Sequence, residues 1–242
     1  MEHNIFASRA SLDLFSQGGG FVNNLVCGTV RIEAVPGRPT PYHVPHSTQV
    51  AGYATIRGGD DRHIGNIFLG GDPALAYGPN RQPGQRTTDY GTAGYDGHPA
   101  SLEAYLELVA DPTRGDHQRF AEIKQPVFIR DNVYAAGAKA YEAEKGGIVL
   151  TGSDITAAVV DEGTEVYLEV HLPAAFDNVR IDAVSGADLE RVRIVDADFE
   201  EPDGAPAVLG ADLVGDVKTP TGAYPAGPIT TLASGSSRIR VW

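Results

Sequence analysis

The sequence predicts an all-β protein: a parallel β-helix over residues 1–147, then a small antiparallel sheet over 148–242, with one or two short helices. Three observations predict it. Twenty-nine glycines and sixteen prolines, against only 21% charged residues, favour many turns over long helices. An Asn followed by an apolar residue and then Phe, Val or Tyr recurs four times between residues 4 and 134. The last third instead alternates apolar and polar residues in the manner of an antiparallel hairpin.

The recurring triplets are Asn4-Ile5-Phe6, Asn24-Leu25-Val26, Asn66-Ile67-Phe68 and Asn132-Val133-Tyr134. The first two lie 20 residues apart, and the next gaps of 42 and 66 are close to two and three times that spacing. A period of about 20–25 residues with short β runs fits a coil in which each strand stacks on its predecessor. Equivalent side chains then stack as well. An Asn at the bend tolerates left-handed geometry and can bond its stacked neighbours. The apolar residue after it is expected to fill the interior.

Other elements follow in order. Residues 11–15 alternate as a strand, Gly18-Gly19-Gly20 turns the chain, and Thr29-Val30-Arg31-Ile32 is a second strand before a Pro-rich loop at 36–45. From 70 to about 97 the pattern fails, which marks an excursion belonging to an inserted region near 70–125. Residues 99–109 read as a helix with Leu102, Tyr105, Leu106 and Val109 on one face, stopped by Asp111-Pro112. A second short helix is expected around 115–123. Residues 157–160 and 165–172 read as a hairpin, with Val166, Leu168, Val170 and Leu172 on the buried side. Later strands are expected at 191–195, 207–209 and 238–242, the sheet packing on the end of the stack to cover its open backbone groups.

A formal charge of −13 with no basic stripe argues against nucleic acid and anionic membranes, and suits a neutral ligand such as a sugar. Cys27 is the sole cysteine, which excludes an intrachain disulfide and reads as a buried small hydrophobe. No apolar run approaches the roughly 20 residues that span a bilayer. With no secretory leader visible, the chain is expected to be cytoplasmic.

Two constellations could carry chemistry. The first is Arg38-Pro39-Thr40-Pro41-Tyr42-His43-Val44-Pro45-His46-Ser47-Thr48, a proline-stiffened loop with two imidazoles three residues apart. It admits a structural loop, a sugar-contacting loop, or a metal site, although no third ligand stands at a characteristic spacing. The second is Gly58-Gly59-Asp60-Asp61-Arg62-His63. Adjacent carboxylates on an extended chain face opposite ways, so Asp60 and Asp61 make a poor catalytic pair. One Asp orienting Arg62, or bonding a His of the first loop, is an equal reading. Phosphate-binding, dinucleotide, nucleophile-elbow and zincin motifs are absent, so no cofactor is expected. The substrate-binding candidates are Tyr42, His43, His46, Asp60 and Arg62.

The order of these motifs resembles the parallel β-helix β-xylosidases of glycoside hydrolase family 120. It runs from His3-Asn4-Ile5-Phe6, Gln17-Gly18-Gly19 and Asn23-Asn24-Leu25 through Tyr42-His43, Pro45-His46-Ser47-Thr48 and Gly59-Asp60-Asp61-Arg62. It continues through Gly137-Ala138-Lys139 to Ala226-Gly227-Pro228 and Arg240-Val241-Trp242. The resemblance implies a right-handed, pectate-lyase-like solenoid and a retaining mechanism, in which one carboxylate attacks the anomeric carbon and another protonates the leaving oxygen. It also implies that both carboxylates lie on coils upstream of the segment matching Asn4-Ile5-Phe6. No position here inherits either role, so the chain is expected to be a C-terminal portion, inactive alone, ending in open strands at its first coil.

The expected ligand is thus a xylo-oligosaccharide or related plant glycan. Two other readings stand beside the enzyme portion. One is a non-catalytic carbohydrate-binding or scaffolding module. The other is a subunit completing the solenoid of a partner chain, or of a second copy, by strand addition at the first coil.

Overall fold

The structure is a computed structural model, and it describes residues 1–75, 87–115, 123–152 and 154–242. Its strands in the first half are β1 (Ile5–Phe6), β2 (Ala10–Leu14), β3 (Gly20–Val22), β4 (Leu25–Val26), β5 (Thr29–Ile32), β6 (Val35–His43) and β7 (Val50–Ile56). Then come β8 (Arg62–Ile64), β9 (Ile67–Leu69), β10 (Thr87–Asp89), helix α1 (Leu102–Val109), β11 (Phe128–Arg130), β12 (Val133–Ala135) and β13 (Ile148–Val149). The C-terminal strands are β14 (Thr156–Asp161), β15 (Val166–Leu172), β16 (Ile181–Asp182), β17 (Ala223–Tyr224) and β18 (Gly235–Arg240). Strands dominate, and α1 is the one α-helix among the described residues. The second helix expected near 115–123 falls mostly on 116–122, outside the described residues.

The four Asn triplets stack as their spacing requires. Strands β1, β4, β9, β12 and β13 form one parallel sheet, with Ile5, Leu25, Ile67, Val133 and Ile148 in one register and Phe6, Val26, Phe68, Tyr134 and Val149 in the next. A second parallel sheet, β3-β8-β11, aligns Phe21 with His63 and Ile129. Strand β2 pairs in parallel with β5, and β10 joins β5 in the antiparallel sense. Each tier thus contributes two or three very short strands joined by sharp bends.

The bends differ from expectation in one respect. The left-handed residue is the one before each triplet Asn: His3, Asn23, Gly65 and Asp131 have φ of 49°, 51°, 66° and 59°. The triplet Asn itself makes the ladder. Asn4, Asn24 and Asn66 each donate a backbone N–H at 2.9 Å to the side-chain oxygen of the next Asn. Asn132 ends the series on Glu144, donating to its Oε1 from the backbone at 3.0 Å and from the side chain at 2.9 Å.

The apolar residue directly after each Asn does not fill the interior. Ile5, Leu25, Ile67 and Val133 face outward into a core shared with Leu168, Val170, Leu172 and Phe176. The second residue is the interior one: Phe6, Val26, Phe68 and Tyr134 pack with Leu12, Leu14, Phe21 and Val30. Successive strand residues alternate sides, so the choice of face depends on the bend that precedes them. Inside, Phe68 stacks on Tyr134 with centroids 5.4 Å apart.

The antiparallel sheet β14-β15-β18 therefore covers the flank of the five-stranded sheet, not the end of the stack. In β15 the alternation holds, with Leu168, Val170 and Leu172 buried and Glu169 exposed. Residues 191–195 and 207–209 are not strands. Their stretch holds only isolated bridges, Val192 to Ala197 and Glu200 to Pro206, because turn-forming residues interrupt it. Residues 184–209 nevertheless pack on the β3-β8 face, where Val184, Leu189 and Phe199 meet Val22 and Ile64. The last strand ends at Arg240 rather than Trp242.

Two further expectations change. The Pro-rich stretch is the first strand of a hairpin, β6-β7, which tolerates proline because both of its strands are edges. Helix α1 starts at Leu102, capped by Ser101, whose side chain accepts from the Ala104 N–H at 3.1 Å. It buries Tyr105 alone; Leu102 and Leu106 stay exposed.

Candidate functional site

The hairpin carries three of the five substrate-binding candidates. Tyr42 pairs with Gly52, and its ring lies over that glycine so closely that a side chain there would collide with it. His43 pairs with Val50 near the tip and is exposed. His46 occupies the turn at φ 57°, and its Nε2 stands 2.6 Å from Glu200 Oε2. His43 and His46 are open to solvent and able to meet a ligand, while Tyr42 is half-buried.

Asp60 and Arg62 are placed differently. Both are buried, Arg62 completely. Arg62 Nε donates to Leu189 O and Nη2 to Arg191 O, each at 2.6 Å, while Nη1 donates to Asp60 O. The same Nη1 lies 2.9 Å from Asp60 Oδ1, an ion contact without hydrogen-bond alignment. The guanidinium also lies over the rings of Phe128 at 4.6 Å and Phe199 at 5.6 Å. Asp60 Oδ2 accepts from the Arg193 N–H at 2.8 Å. Burial pushes the Asp60 carboxyl up, against the pull of Arg62. With every nitrogen engaged, Arg62 organises backbone in this chain and does not itself offer a donor to solvent.

The five residues therefore do not line one open cleft. Three of them reach a common partner, residues 189–200, held below by Arg62 and Asp60 and at the surface by His46, while Tyr42 and His43 stay on the hairpin.

Two groups outside the five candidates are also placed for chemistry. The first is buried: Asp61 accepts from the Gly19 N–H at 2.8 Å and from Tyr95 Oη at 2.7 Å, and Tyr95 Oη is 3.2 Å from His63 Nε2. His63 stacks on Phe21 at 4.6 Å, and its Nδ1 has no partner among the described residues. Burial lifts the Asp61 carboxyl to about 7 and lowers His63 to about 3. The expectation that Asp60 and Asp61 face opposite ways presumes an extended chain, but neither residue is in a strand and Asp60 has φ 54°. The sequence does not show which of them turns inward.

The second group lies on the outer face of β2-β5. Arg31 holds Asp13 with two bonds, Nε to Oδ1 at 2.9 Å and Nη2 to Oδ2 at 2.5 Å, and sits 4.6 Å over the Phe15 ring. A shallow concavity of about 260 Å³ there is lined by Arg9, Asp13, Thr29, Arg31 and Thr88. Paired polar groups beside an aromatic ring suit hydrogen bonding to a polyol. Among the described residues no group of three or more His, Cys, Asp or Glu is placed to hold a metal ion.

No protein-family model and no curated protein matches this sequence. One solved structure does, the complex of XylC with xylose, at 41% identity and a TM-score of 0.88. The match covers 100% of this chain and 35% of that one, so the chain spans about a third of the length of the protein it resembles.

Proposed function

We propose that this chain forms the last turns of a right-handed parallel β-helix in a xylose-directed, carbohydrate-active protein resembling the family 120 β-xylosidases. The observation that carries the reading is similarity along the whole of this chain, at 41% identity, to 35% of a protein solved with xylose bound. The Asn ladder supports it, because stacked amides joining successive tiers are what a solenoid of this kind requires. On this reading the solenoid runs through β13 at Ile148–Val149, just past the expected boundary at 147, and the residues after it are a flanking cover.

Retaining hydrolysis needs two carboxyl groups about 5–5.5 Å apart on either side of the scissile bond. We assign both to polypeptide outside Met1–Trp242. This chain's part is then to shape the sugar cleft, through Tyr42, His43 and His46 on the hairpin and through Asp13 and Arg31 on the β2-β5 face. Asp60 and Arg62 act from beneath.

Calorimetry and a hydrolysis assay on the chain alone test this. The expected result is measurable heat with xylobiose or xylotriose and no release of xylose. Hydrolysis by the chain alone would overturn the placement of the carboxylates. No heat with any xylo-oligosaccharide would remove the carbohydrate reading.

A further inference from the structure

A cleft of about 370 Å³ lies where the start of α1, strand β11 and residues 186–190 meet. Ser101, Phe128, Arg130, Lys145, Asp188 and Glu190 line it. Its volume is in the range of small-molecule sites. It opens on the β3-β8-β11 face, away from the hairpin and the β2-β5 groups assigned above to the cleft; of the groups named there, Arg62 stands on β8 beneath it.

Glu190 has φ 55° and ψ 155°, a combination that is essentially the preserve of glycine. The cause is visible in its neighbours. Arg62 takes the carbonyl before Glu190 and the carbonyl after it, Leu189 O and Arg191 O, each at 2.6 Å. Both oxygens are drawn to one buried guanidinium, and the residue between them absorbs the twist. Arg62 cannot yield, since Asp60 and the Phe128 and Phe199 rings fix it. Glycine would relieve the strain, yet the position carries a carboxylate, and that carboxylate makes no hydrogen bond or ion pair among the described residues. Strain held in place by surrounding structure, at a residue with an uncommitted charged group in a cleft, points to binding.

The lining selects the ligand. Arg130, oriented by Asp131 at 2.7 Å, and Lys145 donate, while Glu190 and Glu103 accept; Asp188, whose Oδ2 takes the Ser185 N–H and hydroxyl, has one oxygen left. A rim of both signs favours a neutral molecule that donates and accepts at several points over an ion of either charge. Phe128, Ile129 and Leu102 give an apolar wall for the C–H face of a ring. We propose that this cleft is a second saccharide site, taking a pentose or short xylo-oligosaccharide, with Glu190 binding its hydroxyls and Arg62 as the positioning residue. The choice of sugar rests on the function proposed above.

The test is a titration of the ¹⁵N-labelled chain with xylobiose, followed residue by residue by NMR, on the wild type, Glu190→Gly and Glu190→Gln. The expected result is shifts concentrated at residues 128–130 and 188–191. Affinity should fall at least tenfold in both variants, with a melting temperature no lower than wild type in Glu190→Gly. Binding that maps elsewhere and is unaffected by either variant overturns the second site and leaves the xylose reading standing. An absence of shifts anywhere, with no calorimetric heat, overturns both.

Discussion

Asn66 gives both its backbone N–H and its side-chain amide to one atom, Oδ1 of Asn132, each at 2.9 Å. Asn24 does the same to Asn66, so a polar column runs through successive tiers and ends on the Glu144 carboxylate, which accepts and needs no donor beyond it. Asn66 is fully buried. In Asn66→Leu, Asn24 loses its acceptor and Phe21 O and Asn132 Oδ1 lose donors. At roughly 1–3 kcal/mol for each buried group left unpaired, the expected loss is about 3–5 kcal/mol in urea unfolding. A loss below about 1 kcal/mol would show that stacking of the neighbouring apolar residues, not the amide column, holds the tiers together.

Strain at Glu190 makes an opposite prediction. Glu190→Gly should raise stability by about 1 kcal/mol, since relief of a glycine-only conformation outweighs the added freedom of the unfolded chain. Arg62→Leu should cost about 3–5 kcal/mol, because it leaves the Asp60 carboxylate buried without its cation. Thermal or urea unfolding of both variants checks the pair. A destabilised Glu190→Gly chain would contradict the strain argument.

The interior cluster sets a pH dependence. Burial lifts Asp61 to about 7 and lowers His63 to about 3 and His98 to about 4. The Asp61 contribution is present below the ordinary carboxylate range and is lost as pH rises toward 7. The imidazole contributions run the other way, being present above the ordinary histidine range and lost as pH falls from about 6.5. Between about pH 4 and 6.5 the unfolded chain holds two protons on these groups and the folded chain one, a difference of 2 − 1 = 1. Together they make stability rise with pH by one proton's slope, about tenfold in the folding constant per pH unit. In Asp61→Asn the folded chain loses its proton, so the slope should double. Equal slopes for wild type and variant between pH 4 and 6.5 would rule out a protonated Asp61.

The parallel stack was legible because an amide ladder needs the same residue type at every tier, and Asn4, Asn24, Asn66 and Asn132 are the same. The bend before each Asn left no motif. His3, Asn23, Gly65 and Asp131 share a backbone conformation and no side-chain chemistry. Without that bend the inward and outward positions could not be assigned, and Leu25, Ile67 and Val133 were expected on the wrong side. Asp60 and Arg62 read as an open polar motif because their cover, residues 189–200, comes from more than a hundred positions away. No local pattern announces that contact. The hairpin β14-β15 was legible for the converse reason, since its partners are adjacent in sequence and alternate cleanly.

The hairpin tip offers a separation of binding from stability. The His46–Glu200 contact is exposed, so His46→Ala should cost no more than about 1 kcal/mol. In a chimera that carries this chain in place of the matching 35% of XylC, the same change should raise KM for a xyloside several-fold while kcat changes little. A large loss of stability with unchanged KM would make His46 a structural tether only.

That chimera also gives the most direct measurement of the central claim, that this chain supplies the cleft-shaping turns of a xylose-directed protein whose catalytic carboxylates lie elsewhere. Release of nitrophenol from an aryl β-xyloside is followed for XylC, for the chimera and for the chain alone. The account predicts hydrolysis by XylC and by the chimera, and none by the chain. A folded chimera that is inactive beside an active XylC, or a chain that hydrolyses the xyloside unaided, would contradict it.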